Sequence, residues 1–184
     1  MSKEQKPLLQ INDLKTYFYT EDGIVKAVDG VNLYVNRGEV LGLVGESGSG
    51  KSVTSLSVMR LVGPPGKIVS GEILFDGQPI HSLPENKMVK IRGHSISMIF
   101  QQPQSSLNPV HTTGAQVAEV FELHSQFEEP QVEGRTVEMF RLVGIPDPEE
   151  KVKAYPHEMS GMLKLIRRLT VSISLTITET ICPG

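Results

Sequence analysis

Apolar and polar residues alternate over the first forty positions with the two-residue period of half-buried strands. Leu9 and Ile11 stand between polar neighbours, and Val31, Leu33 and Val35 alternate with Asn32 and Tyr34. Turn-forming runs punctuate this pattern at Glu21-Asp22-Gly23 and Asn36-Arg37-Gly38. The next stretch, Glu39 to Val44, is a short apolar run whose length predicts a buried strand, and it enters a glycine-rich segment directly. After Lys51 the period lengthens. Val53, Leu56, Met59 and Leu61 mark one helix face, and Gly63-Pro64-Pro65-Gly66 predicts its end. Two β runs follow, Glu72 to Phe75 and Ser95 to Phe100. From Gln101 to about Tyr155 the spacing of Val117, Val120, Phe121 and His124, and of Val137, Phe140 and Val143, predicts helices joined by loops. No internal repeat or low-complexity tract interrupts the order.

Composition narrows the class. The 184 residues favour one compact unit, and 39% hydrophobic with 21% charged residues suits a globular protein with a core. A net charge of -3 gives no electrostatic reason to expect nucleic acid or an anionic membrane surface as partner. The single cysteine, Cys182, permits no internal disulfide, which fits a reducing cytoplasm. The opening MSKEQKP lacks the apolar core of a signal peptide, and no run approaches the ~20 apolar residues of a membrane span. Attachment to a membrane is therefore expected only through another protein. The histidines at 81, 94, 111, 124 and 157 lack ligand spacing, so no metal site is expected from them.

The chemistry concentrates in Gly45-Glu46-Ser47-Gly48-Ser49-Gly50-Lys51-Ser52, which fits G-x-x-x-x-G-K-[ST] at every fixed position. Holding an anionic phosphate takes backbone N–H donors at close range, and glycine permits both the approach and the positive φ of a tight loop. A helix starting near Lys51 would aim its free N–H groups and the positive end of its dipole at the same place. Lys51 would add a full charge on the β- and γ-phosphates, and the Ser52 hydroxyl would ligate Mg²⁺. The plain alternative is a flexible Gly/Ser turn with no ligand. An apolar run before and an amphipathic helix after are the context that a cradle requires and a chance turn does not.

Two later strings select among P-loop proteins. Phe100 to Pro109 (FQQPQSSLNP) carries a β run into a glutamine and a proline-rich turn, and Tyr155 to Gly161 reads YPHEMSG. With the cradle, with Val25 to Val35 and with Val143 to Pro146, these resemble the ATP-binding subunits of ABC importers, within them the oligopeptide, dipeptide and nickel group. The resemblance covers about Leu8 to Gly161. It implies an α/β P-loop NTPase with a RecA-like core, an antiparallel β subdomain and a helical subdomain. It implies ATP and Mg²⁺ as cofactors, with Lys51 and Gln101 in the catalytic machinery and Gln101 beside Ser52 at the metal. Ser160 and Gly161 would open the signature motif that contacts ATP held by a second ATP-binding subunit. The adenine-stacking aromatic would lie in Tyr17-Phe18-Tyr19, with Phe18 chosen by its distance from Leu14. The implied partners are transmembrane permease subunits, and the implied location is the cytoplasmic face of the membrane. The solute is left unnamed, because separate subunits select it in this group.

Beyond Gly161 the pattern departs from the family. A second glycine, a Gln-Arg and a strand ending in Asp-Glu are expected, but the chain reads Met162 to Arg168 and then LTVSISLTITETICPG. Glu179, in Thr-Glu-Thr with no preceding Asp, reads as an exposed polar residue rather than the catalytic carboxylate. The expectation is therefore the N-terminal part of an ABC-type ATP-binding domain over 1–161, truncated before the Walker B strand, and a divergent tail over 162–184 that a reading-frame shift or a premature end would explain. Hydrolysis is doubtful on that reading, and the alternative is a non-catalytic nucleotide-binding fragment or a defunct gene product. A soluble P-loop kinase would leave Gln101 and the Tyr155 to Gly161 string unexplained.

Overall fold

Turn chemistry sets the first hairpin. β1 (Leu9–Thr20) and β2 (Gly23–Val35) run antiparallel from the Thr20–Gly23 pair, and Gly23 takes φ 130° there. The computed structural model describes residues 6–100, 107–124, 129–159 and 174–177, in two compact units that divide between Val89 and Lys90. In the first unit β3 (Gly66–Phe75) pairs antiparallel with the other edge of β1, and β4 (Gln78–Pro79) extends it, giving the order β2-β1-β3-β4. Register shifts near Ile11–Lys15 mark irregular pairing, and Gly71 (φ 101°) faces it. A Cβ there would lie 2.6 Å from the Asp13 carbonyl oxygen, so only glycine fits.

The alternation of β1 buries Leu9, Ile11, Leu14 and Thr16, and α1 (Lys51–Val58) packs against β1 and β2. Its buried Val58 joins Ile73, Ile80 and Met88 in the core. A polar link crosses this layer. The Ser57 hydroxyl donates to the Val53 carbonyl (2.7 Å), so the Thr16 hydroxyl donates to Ser57 Oγ at 2.8 Å, both residues fully buried. The two ends are therefore unequal. Ser57→Ala strands a buried donor on Thr16 and is expected to cost about 1–3 kcal/mol. Thr16→Val leaves Ser57 its Val53 acceptor and is expected to cost only about 0.5–1.5 kcal/mol. Denaturant unfolding of the two variants checks the order; a costlier Thr16→Val would refute this account of the link.

Residues Glu39 to Val44 do not form the buried strand that their composition predicts. No described strand pairs with the run; Val40 is 96% and Val44 95% exposed, and Leu41 and Leu43 are also exposed. An apolar run becomes a buried strand only when neighbours pair both its edges and layers cover both its faces. Among the described residues of its unit, nothing does so.

Two more elements escaped the pattern. β3 begins at Gly66, well before the apolar run Glu72 to Phe75, and α2 (Glu85–Ile91) contributes one buried side chain, Met88. A two-turn helix with a single buried residue leaves no periodicity to read.

In the second unit β5 (Ile96–Ile99) pairs antiparallel with β6 (Ser174–Ile177), a strand the tail was not expected to form. α3 (Thr113–His124) and α4 (Glu129–Leu142) follow the predicted helical spacings and pack together, with Val132, Thr136 and Phe140 buried. α5 (Pro148–Lys151) leads into a 3₁₀ turn, Pro156–Met159. The start of α3 is tied to that region. The Thr113 and Gly114 N–H groups donate to the Ala154 and Val152 carbonyls, each at 2.9 Å, and the Thr113 hydroxyl reaches Met159 Sδ at 3.1 Å. No described helix is long and apolar enough to cross a membrane.

Candidate functional site

The loop Gly45–Gly50 lies open to solvent between the unpaired run and α1. Its turn closes through Ser49 N–H to the Glu46 carbonyl at 3.2 Å, and Gly48 (φ 82°) and Gly50 (φ 88°) take left-handed conformations. Gly50 is the N-cap of α1, and the first helical bond runs from Thr54 N–H to the Gly50 carbonyl at 2.8 Å. The N–H groups of Lys51, Ser52 and Val53 precede it with no helical acceptor, so they and the dipole end face the loop. Lys51 folds back over the loop. Its ammonium donates to the carbonyls of Gly45 (2.6 Å) and Glu46 (2.7 Å) and to Ser49 Oγ (3.0 Å). The arrangement gathers a full positive charge and several N–H donors at the start of α1, which is what an anionic oxygen cluster requires. Ser52 stands half-buried in the first turn, where a hard oxygen donor suits Mg²⁺ shared with phosphate and water.

What seats the cradle was not visible in the sequence. The Ala27 carbonyl of β2 lies where a Gly50 Cβ would be, 2.3 Å from its ideal position, with Val28 Cγ2 at 3.5 Å. β2 is thus the floor of the loop. The contact is made by backbone, and no side-chain pattern announces it.

Phe18 pairs with Val25 on β2, two residues before Ala27 and thus about 7 Å along the strand. Its half-buried ring lies against Gly66, where an added Cβ would meet Cε1 at 2.6 Å, and Gly66 also meets Val62. Phe18 and the cradle therefore share the same stretch of β2. Gln101, Ser160, Gly161 and Glu179 lie outside the described residues. The segment before Ser160 is well anchored: Pro156 and Met159 are buried, and Tyr155 N–H donates to Glu158 Oε2 at 2.7 Å.

A cluster beside Phe18 also went unpredicted. Tyr17 donates its hydroxyl to Asp29 Oδ1 at 2.6 Å, while Lys26 sits 5.4 Å from the Tyr17 ring centre and 3.4 Å from Asp29 Oδ2. The hydrogen bond to Asp29, with some desolvation and the carboxylate charge, pushes Tyr17 up to about 12. The same hydrogen bond, helped by Lys26, holds Asp29 below its ordinary value. The sign for Tyr17 follows from its raised value: the link persists below pH 10 and is lost as pH rises through about 12. For Asp29 it is lost as pH falls below the ordinary carboxylate range. Tyrosinate absorbance is expected to show one late-titrating tyrosine, which Asp29→Asn returns toward 10. An unchanged titration in that variant would argue against the bond.

The ABC transporter family matches residues 28–174, which includes the cradle, β5 and α3 to α5 of the second unit. The chain belongs to the ABC transporter family. Among its relatives, a probable peptide ABC transporter ATP-binding protein (y4tR) of Sinorhizobium fredii is 46% identical over 169 residues, covering 91% of this chain and 50% of that protein. The oligopeptide transport ATP-binding protein AppD of Bacillus subtilis is 45% identical over 170 residues, 92% of this chain and 51% of its own length. This ABC transporter chain thus spans about half the length of the curated relatives it matches. Two dimeric structures of the cassette MJ0796 share its fold. One is described as a bacterial ABC transporter cassette, with TM-score 0.71 and 23% identity; the other holds ADP and Pi, with TM-score 0.69 and 22% identity. Both alignments cover 83% of this chain and 63% of the cassette. The fold is therefore the α/β P-loop cassette, with its antiparallel sheet and its helical part.

Proposed function

We propose that this chain binds ATP with Mg²⁺ in the Gly45–Ser52 cradle, as part of the ATP-binding subunit of a peptide importer. The observation that carries the reading is the placement of Lys51, whose ammonium is held over a loop lined by the first free N–H groups of α1. Glu46, Ser47, Gly48 and Ser49 would wrap the phosphates, and Ser52 would hold Mg²⁺, which supplies charge neutralisation of the phosphates. Phe18 would stack on adenine from β1, paired with the stretch of β2 that floors the cradle. Gln101 would complete the metal side, and Ser160 with Gly161 would reach ATP bound by a second ATP-binding subunit. Coupling to transport would run through permease subunits at the cytoplasmic face of a membrane. The peptide class is supported by relatives named for peptide and oligopeptide transport. The test is calorimetric titration of the full chain with Mg-ATP, beside Lys51→Ala. Saturable binding that depends on Lys51 is expected; no binding, or equal binding by the variant, would overturn the reading.

A further inference from the structure

The strand under Gly50 is irregular at the point of contact. Between β1 and β2 the register pairs Lys15 with Asp29 and Thr16 with Val28, and on either side one β2 residue, Gly30 or Ala27, has no partner. Two successive pairs thus lie between two extra residues, and so short a ladder sets its own geometry weakly. Ala27, left over between the Thr16–Val28 and Tyr17–Lys26 pairs, is the residue whose carbonyl meets Gly50. Side chains supply what the ladder lacks. Lys26 and Asp29 flank Ala27-Val28, and both close on Tyr17 of β1. The Tyr17 hydroxyl donates to Asp29 Oδ1 at 2.6 Å, and Lys26 Nζ lies 3.4 Å from Asp29 Oδ2 and 5.4 Å from the Tyr17 ring centre. Thr16 meets α1 through Ser57, so Tyr17, one residue on, faces the opposite side of the sheet. We infer that Tyr17, Asp29 and Lys26 are positioning residues for the nucleotide, a clip that fixes the bulge at Ala27 and, through its carbonyl, the seat of Gly50 and the start of α1.

An exposed Lys–Asp pair by itself contributes little. Here the aspartate also accepts a short hydrogen bond from a phenol on the neighbouring strand, and a charged acceptor strengthens such a bond. The clip encloses the one β2 residue whose carbonyl occupies the space beside Gly50. Other polar contacts on this hairpin, Lys15 with Asp13 and the Asp13 N–H with Asn32 Oδ1, involve neither Lys26 nor Asp29. None of the three side chains has to touch phosphate or adenine. What they transmit is a backbone position, and N–H bonds to phosphate oxygens weaken steeply as distance and angle drift.

Because this role rests on the cradle holding Mg-ATP, the full chain is first titrated with Mg-ATP by calorimetry beside Lys51→Ala. Tyr17→Phe keeps the ring and removes only the donor. It is expected to weaken Mg-ATP binding by roughly 3- to 10-fold, the range of one hydrogen bond, at a temperature where parent and variant are equally folded. Asp29→Ala is expected to lose at least as much, and the double variant no more than Asp29→Ala alone. Asp29→Asn, which still offers an acceptor to Tyr17, is expected to keep most of the affinity. Without nucleotide, amide exchange at Ser49 and Thr54, whose N–H groups donate to the Glu46 and Gly50 carbonyls, should quicken in Tyr17→Phe. Exchange at Ile80, bonded to the Ile73 carbonyl, should stay at the parent level. A lower unfolding midpoint with unchanged affinity of the folded chain would overturn the inference, as would additive losses in the double variant or unchanged exchange at Ser49 and Thr54. No Lys51-dependent binding by the parent chain would overturn the ATP reading and this role with it. Lys51-dependent binding that Tyr17→Phe leaves intact would overturn the clip alone.

Discussion

Gly50→Ala is expected to weaken Mg-ATP binding by ~100-fold or more, about 2.7 kcal/mol, and to lower the stability of the first unit. Gly48→Ala is expected to cost about tenfold at most. Both positions have positive φ, 88° and 82°, so both substitutions carry the left-handed penalty of roughly 1–2 kcal/mol for an L-residue. The difference lies in space. A Cβ on Gly50 would sit 2.3 Å from the Ala27 carbonyl oxygen and 3.4 Å from its carbon, whereas a Cβ on Gly48 meets nothing within 4 Å. Backbone on both sides of that contact cannot rotate away as a side-chain tip can. Either the loop lifts off β2 or β2 bends, and in both cases the N-terminus of α1 moves with Gly50. Displacement by even an ångström spoils donors aimed at a phosphate. Calorimetry for affinity and thermal unfolding for stability check the pair; equal losses in the two variants would show that conformational strain, not the β2 floor, governs the loop.

Lys51→Ala should separate affinity from stability in the opposite way. The ammonium's three hydrogen bonds, to Gly45, Glu46 and Ser49, are all exposed, so their loss changes the fold little. The proposed phosphate contact would be charge-assisted, and its removal is expected to cost about 1.5–3 kcal/mol, roughly 10- to 150-fold in affinity. Secondary structure and unfolding midpoint should stay close to those of the parent chain. An affinity loss accompanied by a comparable loss of stability would mean that Lys51 acts mainly by closing the loop on itself.

Much of this fold was legible because its signals are carried by near neighbours. The Glu21 to Gly23 turn and the alternation around it announce the β1–β2 hairpin, and the change of period after Lys51 announces α1. The cradle was legible for the same reason: its glycines, lysine and serine are consecutive, and the helix that completes it begins within the motif. Tertiary structure alone decided the rest. Whether Glu39 to Val44 becomes a strand depends on partners distant along the chain or outside it, and apolar composition records a capacity to be buried without supplying a neighbour. The seat of Gly50 on Ala27 is a backbone contact between a loop and a strand more than twenty positions earlier. The Tyr17–Asp29 bond exists because the hairpin pairing sets Asp29 opposite Lys15, two residues from Tyr17 on β1. Periodicity describes which way each residue faces along its own element; pairing register and packing decide what it meets there.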